Sequence, residues 1–369
     1  MKTIIMQNTI TIPTRPKRKF VPENLIIDSW GKIKFLFDNL VEREISSATE
    51  LEQWMLDRSE LKAVLQEEGT WRSIKMNIDT TDKELAERFS FWIKEISLNI
   101  APYSHKLNIK LIESPYLKEL DQEKYRVYLR GVNKKIEIFR EKNIPLFTTM
   151  EEKQQEYGAI SAQMSIEVDG ERMTMQKAAQ LLKSNDRKKR EEVYNKISTR
   201  RFQDEKVLDD LFDELIALRQ QIAKNADFDN YRDYMFAAMG RFDYTPKDCF
   251  NFHDAIKKEI VPIRDILVEN RKKELGYDNY KPWDTEVDVK GLTPLKPFEG
   301  GTELINLSAE CFNRLRPYFG ECLSTMKAMQ HLDLESKEGK SPGGFMCPLY
   351  EIGVPFIFMN AVGSQRDVT

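Results

Sequence analysis

At 369 residues the chain exceeds one ordinary compact core and is expected to form two domains or one large helical body with subdivisions. Its 41% apolar and 32% charged residues, with 16 Gly and 15 Pro, exclude a disordered or fibrous chain. The 57 Lys and Arg against 60 Asp and Glu leave a net charge of -3, which supplies no global attraction to nucleic acid.

From the N-terminus, Ile4 to Met6 is an apolar stretch far too short for a signal-peptide core, and Arg15-Pro16-Lys17-Arg18-Lys19 reads as a solvated basic arm. No window reaches the ~18 consecutive apolar residues of a membrane helix. The chain therefore reads as cytoplasmic, with neither nucleic acid nor membrane as partner. Helix starts are expected where Ser47-x-x-Glu50 and Thr81-x-x-Glu84 form capping boxes, and where Thr245-Pro246-x-Asp248 adds proline at the first helical position.

Apolar residues recur at helical spacing: Leu85, Phe89, Trp92, Ile96 and Ile100; Tyr125, Leu129, Val132, Ile136 and Phe139; Leu208, Leu211, Leu215, Leu218 and Ile222. The predicted fold is mainly α, a multi-helix body with a small β-hairpin at about 164–175 and a short β-element near 343–360. The hairpin turns at Asp169-Gly170, a pair suited to a tight reversal. Asn185 to Arg190 is a polar, basic helix start, and a domain boundary is placed near residue 200, giving an N-terminal region 1–200 and a second region 201–369.

Tyr277 to Gly301 reads as a long connection, with Thr302 capping the helix that follows Gly300-Gly301. Near the C-terminus, Gly343 to Cys347 and Val354 to Met359 suggest two strands built for burial. Ser364-x-x-Asp367 then has the pattern of a helix cap, so Thr369 reads as an artificial or premature end. On that reading the strands lack cover, and residues 340–369 should be among the least protected.

No chemistry-bearing motif is present. His105, His253 and His331 lie outside any H-E-x-x-H or E-x-x-H pattern, so no catalytic or metal-ligating residue is nominated. Gly339-Lys340-Ser341 fails as a phosphate loop because Leu334 stands where the first glycine is needed. Cys249, Cys311, Cys322 and Cys347 form no C-x-x-C and are expected to be buried free thiols.

Several stretches in order carry a family resemblance: Ala101-Pro102-Tyr103-Ser104-His105-Lys106-Leu107, the hairpin Ser165 to Thr174, Asn230-Tyr231-Arg232-Asp233-Tyr234 and Gly240-Arg241-Phe242-Asp243-Tyr244-Thr245-Pro246. Lys281-Pro282-Trp283-Asp284, Lys296 to Gly301, and Gly339 through Asn360 continue it. Together they are similar to the oligoendopeptidase F branch of the thimet-oligopeptidase (M3) family of zinc peptidases. That resemblance implies a helical enclosure around a deep channel, short peptides as substrates, and a zinc held by two histidines of one helix and a glutamate of the next. The motif bearing those histidines is not in this sequence, so the chain alone is expected to bind no zinc and to be inactive. The alternative is a stand-alone helical module for peptide binding or regulation.

The candidate substrate-binding residues are Gly343, Gly344, Phe345 and Met346. Two adjacent glycines let a peptide backbone approach a strand edge, and the Phe345 amide is the candidate donor, with Phe356 to Asn360 as the second choice. Gly343-Gly344 as a mere turn into a buried strand is the other reading.

Overall fold

The computed structural model describes residues 12–368, so the Ile4–Met6 run and Thr369 lie outside it. The fold is mainly α, as the helical spacing predicts, with one two-stranded hairpin and one three-stranded sheet among the described residues. No described helix is long and apolar enough to cross a membrane.

Helices α1 (Gly31–Glu42), α2 (Ala48–Ile78), α3 (Lys83–Phe91), α4 (Leu98–Ile112) and α5 (Gln122–Ile138) share one core in which Leu40, Leu51, Trp54, Ile96 and Leu111 are fully buried. A π-turn, Trp92–Ser97, joins α3 to α4 and turns Trp92, Ile93 and Ile96 into that core. Trp92 lies against Gly69 of α2, where an added Cβ would stand 2.4 Å from the indole nitrogen. Gly69→Ala would gain roughly 1 kcal/mol of helix propensity, yet it must displace a buried ring at a cost of about 1–3 kcal/mol. A net loss of about 1–2 kcal/mol is expected in urea unfolding; an unchanged midpoint would show that the ring yields freely.

The middle of the chain contributes α6 (Ile144–Ala162), β1 (Ser165–Val168), β2 (Glu171–Thr174), α7 (Met175–Gln180), α8 (Arg187–Phe202), α9 (Glu205–Asn225) and α10 (Tyr231–Ala238). The hairpin turns where expected, with Asp169 and Gly170 both at positive φ, 55° and 81°. The remainder comprises α11 (Pro246–Ala255), continued through a second π-turn into α12 (Val261–Leu275), then α13 (Gly300–Leu315), α14 (Pro317–Ala328), β3 (Leu332–Glu335), β4 (Phe345–Cys347) and β5 (Phe356–Ala361).

The caps behave unequally. Thr245 and Asp248 cap each other reciprocally. At Ser47 the hydroxyl accepts from the Glu50 amide, but the Glu50 carboxylate turns to the amide and hydroxyl of Ser46. The Thr81 box does not form: Thr81 donates its hydroxyl to Asp79, and Asp82 caps the helix by accepting from the Glu84 and Leu85 amides. Thr302 lies inside α13, whose first turn is instead closed by Glu335, accepting from the Gly301 amide at 2.5 Å. Ser364 and Asp367 do cap each other, over a single 3₁₀ turn.

Three further expectations are corrected. The basic arm is docked: Arg18 and Arg15 pair with Glu351 at 2.6 and 2.9 Å, and the Lys19 to Val21 amides donate to Glu60. Cys311 and Cys322 are exposed and Cys249 and Cys347 half-buried, so none is a fully buried thiol. Strand β5 has cover on both faces. Phe356 and Phe358 pack with Ile74 of α2 and with Leu349, while Ile357 and Met359 join Phe298 and Leu304 on the α13 side.

Candidate substrate edge

The sheet has the order β3-β5-β4, with β3 parallel to β5 and β4 antiparallel to it. Strand β4 is thus an edge, and among the described residues no other strand pairs with its outer side. Register fixes which backbone groups face outward. The Ile357 amide donates to the His331 carbonyl at 3.0 Å, on the β3 side, so the groups of Phe356 and Phe358 turn to β4. Phe345 opposes Phe358 and Cys347 opposes Phe356, which leaves the Met346 amide and carbonyl pointing to the open edge.

The four sequence candidates therefore divide. Gly343 supplies a turn at φ 87° and is exposed. Gly344 lies so near β5 that a Cβ would stand 3.2 Å from the Phe358 carbonyl oxygen, so its missing side chain serves strand pairing. The Phe345 ring stacks on Phe358, centroids 4.5 Å apart and 2° from parallel, and its amide faces β5. Met346 is the one of the four that lies within the strand with its backbone turned outward, and its side chain is 60% exposed.

Two side chains hold this edge. Asn360 of β5 donates to the carbonyls of Ser341 at 2.9 Å and Gly343 at 2.8 Å, pinning the turn into β4. Lys340 is fully buried and donates to the Asp333 carboxylate and to the carbonyls of Asp333, Glu335 and Met359, with its ammonium 4.5 Å over the Phe358 ring. Burial lowers the Lys340 pKa below its ordinary value, against the opposing pull of Asp333. The Gly-Lys-Ser sequence is thus a strut. Its neighbours are sewn to the end of α2, since Thr80 donates to the Gly339 carbonyl and the Ser341 amide donates to Asn77. Neither role was readable from the sequence, because each depends on partners from other segments.

The histidines are not brought together. His105 stacks on Phe139, 3.8 Å between centroids, and burial depresses its pKa. His331 is buried, edge-on to Trp71, with Nδ1 3.2 Å from the Val354 carbonyl; His253 is exposed on α11. Among the described residues no three His, Cys, Asp or Glu side chains are grouped to hold a metal ion. The donor set of a zinc peptidase does not fit the residues present.

Comparison with known proteins bears on this arrangement. A family model described as Peptidase M3 N-terminal domain matches residues 26–139, and one described as Peptidase family M3 matches residues 180–368, just over half of the chain. No curated protein matches the sequence. Among solved structures, PZ peptidase A with an inhibitor is 23% identical with TM-score 0.86, over 91% of this chain and 60% of that one. An oligoendopeptidase F assignment from Bacillus anthracis str. Ames gives 22% identity and TM-score 0.86, over 92% and 62%. A further oligoendopeptidase F structure gives 22% and 0.87, over 95% and 62%. The likeness to these structures speaks for the fold, and the chain spans about 60% of their length. With the catalytic-family match running from α7 through β5, the chain belongs to peptidase family M3.

Proposed function

We propose that this chain forms the N-terminal helical region (1–200) and the opening part of the catalytic domain (201–369) of a cytoplasmic, zinc-dependent oligoendopeptidase that hydrolyses internal bonds of short peptides. Family membership supports the reaction class. The open side of β4 supports the substrate class: an extended peptide can pair its backbone with a strand edge, which binds many sequences because side chains are not read. Zinc is assigned to residues outside this chain. On this reading the chain alone binds no stoichiometric zinc and does not cleave peptides; one tightly bound zinc per chain with chelator-sensitive cleavage would overturn that. A coding sequence that continues past Thr369 into H-E-x-x-H would support this reading, and a stop codon there would favour the second, a stand-alone helical module for peptide binding or regulation.

The substrate contact is assigned to Met346, with Gly343, Gly344 and Phe345 forming the turn and strand that present it. In a polypeptide continued through the metal-binding helix, Met346→Pro deletes the outward amide and should lower kcat/KM by roughly tenfold or more. Met346→Ala keeps the amide and should change it little. Thermal melting must show both variants folded. Equal kcat/KM in the two would remove this amide from the binding site.

A further inference from the structure

A cavity of about 360 Å³ lies away from the sheet, between α1, α2, the π-turn, α4 and α5. Its walls combine apolar side chains, Phe37, Leu65 and Trp92 among them, with the polar Gln66, Ser97 and Ser104. Its charged lining consists of Arg58, Lys62 and Lys135, with no carboxylate. Arg58 is half-buried while Lys62 and Lys135 are exposed, and a half-buried cation beside two like charges, with no carboxylate in the lining, gains from a counter-ion.

The acidic residues nearby in sequence are engaged elsewhere. On α2, Asp57 pairs with Arg43 and Glu60 accepts the amides of Lys19 to Val21; on α5, Glu137 pairs with Lys134. Arg58 is held by hydrogen bonds to the Leu107 carbonyl and the Asn108 side-chain oxygen, over the Trp54 ring, so its guanidinium is positioned in advance. Burial lowers the Arg58 pKa, and burial followed by the charges of Lys135 and Arg58 lowers that of Lys62, which places the cations within one another's field. Among the described residues Lys62 and Lys135 form no ion pair.

We propose that this cavity binds a carboxylate carried on an apolar body, the carboxylate lying among Arg58, Lys62 and Lys135 and the body against Phe37, Leu65 and Trp92. Such a group is the C-terminus of a peptide ending in an apolar residue, or a free fatty acid. The inference stands on the cavity and not on the peptidase reading, and its test reads binding alone.

N-acetylphenylalanine, N-acetylphenylalaninamide and octanoate are titrated into the full chain while the Trp92 indole N–H resonance, assigned by Trp92→Phe, is followed. The expected result is saturable movement with at least one acid, and binding of the amide at least roughly tenfold weaker than its acid, the difference a charge-assisted contact makes. Tighter binding of N-acetylphenylalanine assigns the peptide end; tighter octanoate assigns the fatty acid. The double variant Lys62→Gln with Lys135→Gln changes two exposed side chains, keeps the fold, and should weaken the acids by roughly five- to tenfold. Equal binding of acid and amide, no saturation at millimolar acid, or an unaltered double variant would each overturn the proposal.

Discussion

Asp284→Ala is expected to destabilise the protein by about 3–5 kcal/mol, because it strands a buried charge. Asp284 and Arg190 are both wholly buried and meet at 2.8 Å; Arg187, more exposed, adds a contact at 2.7 Å, and the Lys281 amide donates at 3.0 Å. Arg190 also donates to the carbonyls of Trp283 and Ser184, so its guanidinium cannot swing out to water when the carboxylate is removed. Burial pushes the Asp284 carboxyl up, but hydrogen bonds from Arg187 and Arg190 outweigh it and hold it below the ordinary 3.8. A carboxyl depressed in the folded state contributes stability that is present above its unfolded value and lost as pH falls through the folded one. Urea unfolding should therefore show wild type losing stability from about pH 4 downward more steeply than Asp284→Asn. Parallel curves for the two proteins would mean that the pair is not charged as described.

What the sequence revealed and what it hid follows from how local each cause is. The Leu208 to Ile222 spacing and the Thr245 cap are completed within one helix, and both are found where expected. The Thr81 box failed for an equally local reason, since Asp79 and Asp82 compete for the same hydroxyl and amides. Arg190 read only as part of a polar, basic helix start because its partner lies 94 residues away. The outward phase of β4 was hidden for the same reason. It depends on the parallel neighbour β3, which pairs with β5 across a separation of about 25 residues and carries no turn signal linking the two. A one-residue error in phase moves the free amide from Met346 to Phe345, which is the difference between the candidate read from the sequence and the one assigned from the register.

Lys340→Met should cost about 2–4 kcal/mol and loosen the candidate substrate edge at the same time. Methionine replaces the length of the stem but leaves the Asp333 carboxylate, two carbonyls of β3 and one of β5 without their donor. Asp333 is 25% exposed and can recover some hydration, which keeps the expected loss below that of Asp284→Ala. Adding Asp333→Asn to Lys340→Met should return part of the stability, the charge share, and leave the carbonyl share lost, so the double-mutant cycle separates the two. The consequence for function is geometric. Lys340 bonds the Met359 carbonyl while Asn360 pins Gly343, so the end of the β4–β5 pairing at Phe345 and Phe358 is tied by this ammonium and the Asn360 amide. Hydrogen exchange of the ladder amides at Phe345 and Cys347 should accelerate in Lys340→Met before the cores of the helical body are affected. If those amides keep their wild-type protection and the melting curve does not move, the buried lysine is a passenger, and the rigidity of the edge comes from Phe345 stacking on Phe358.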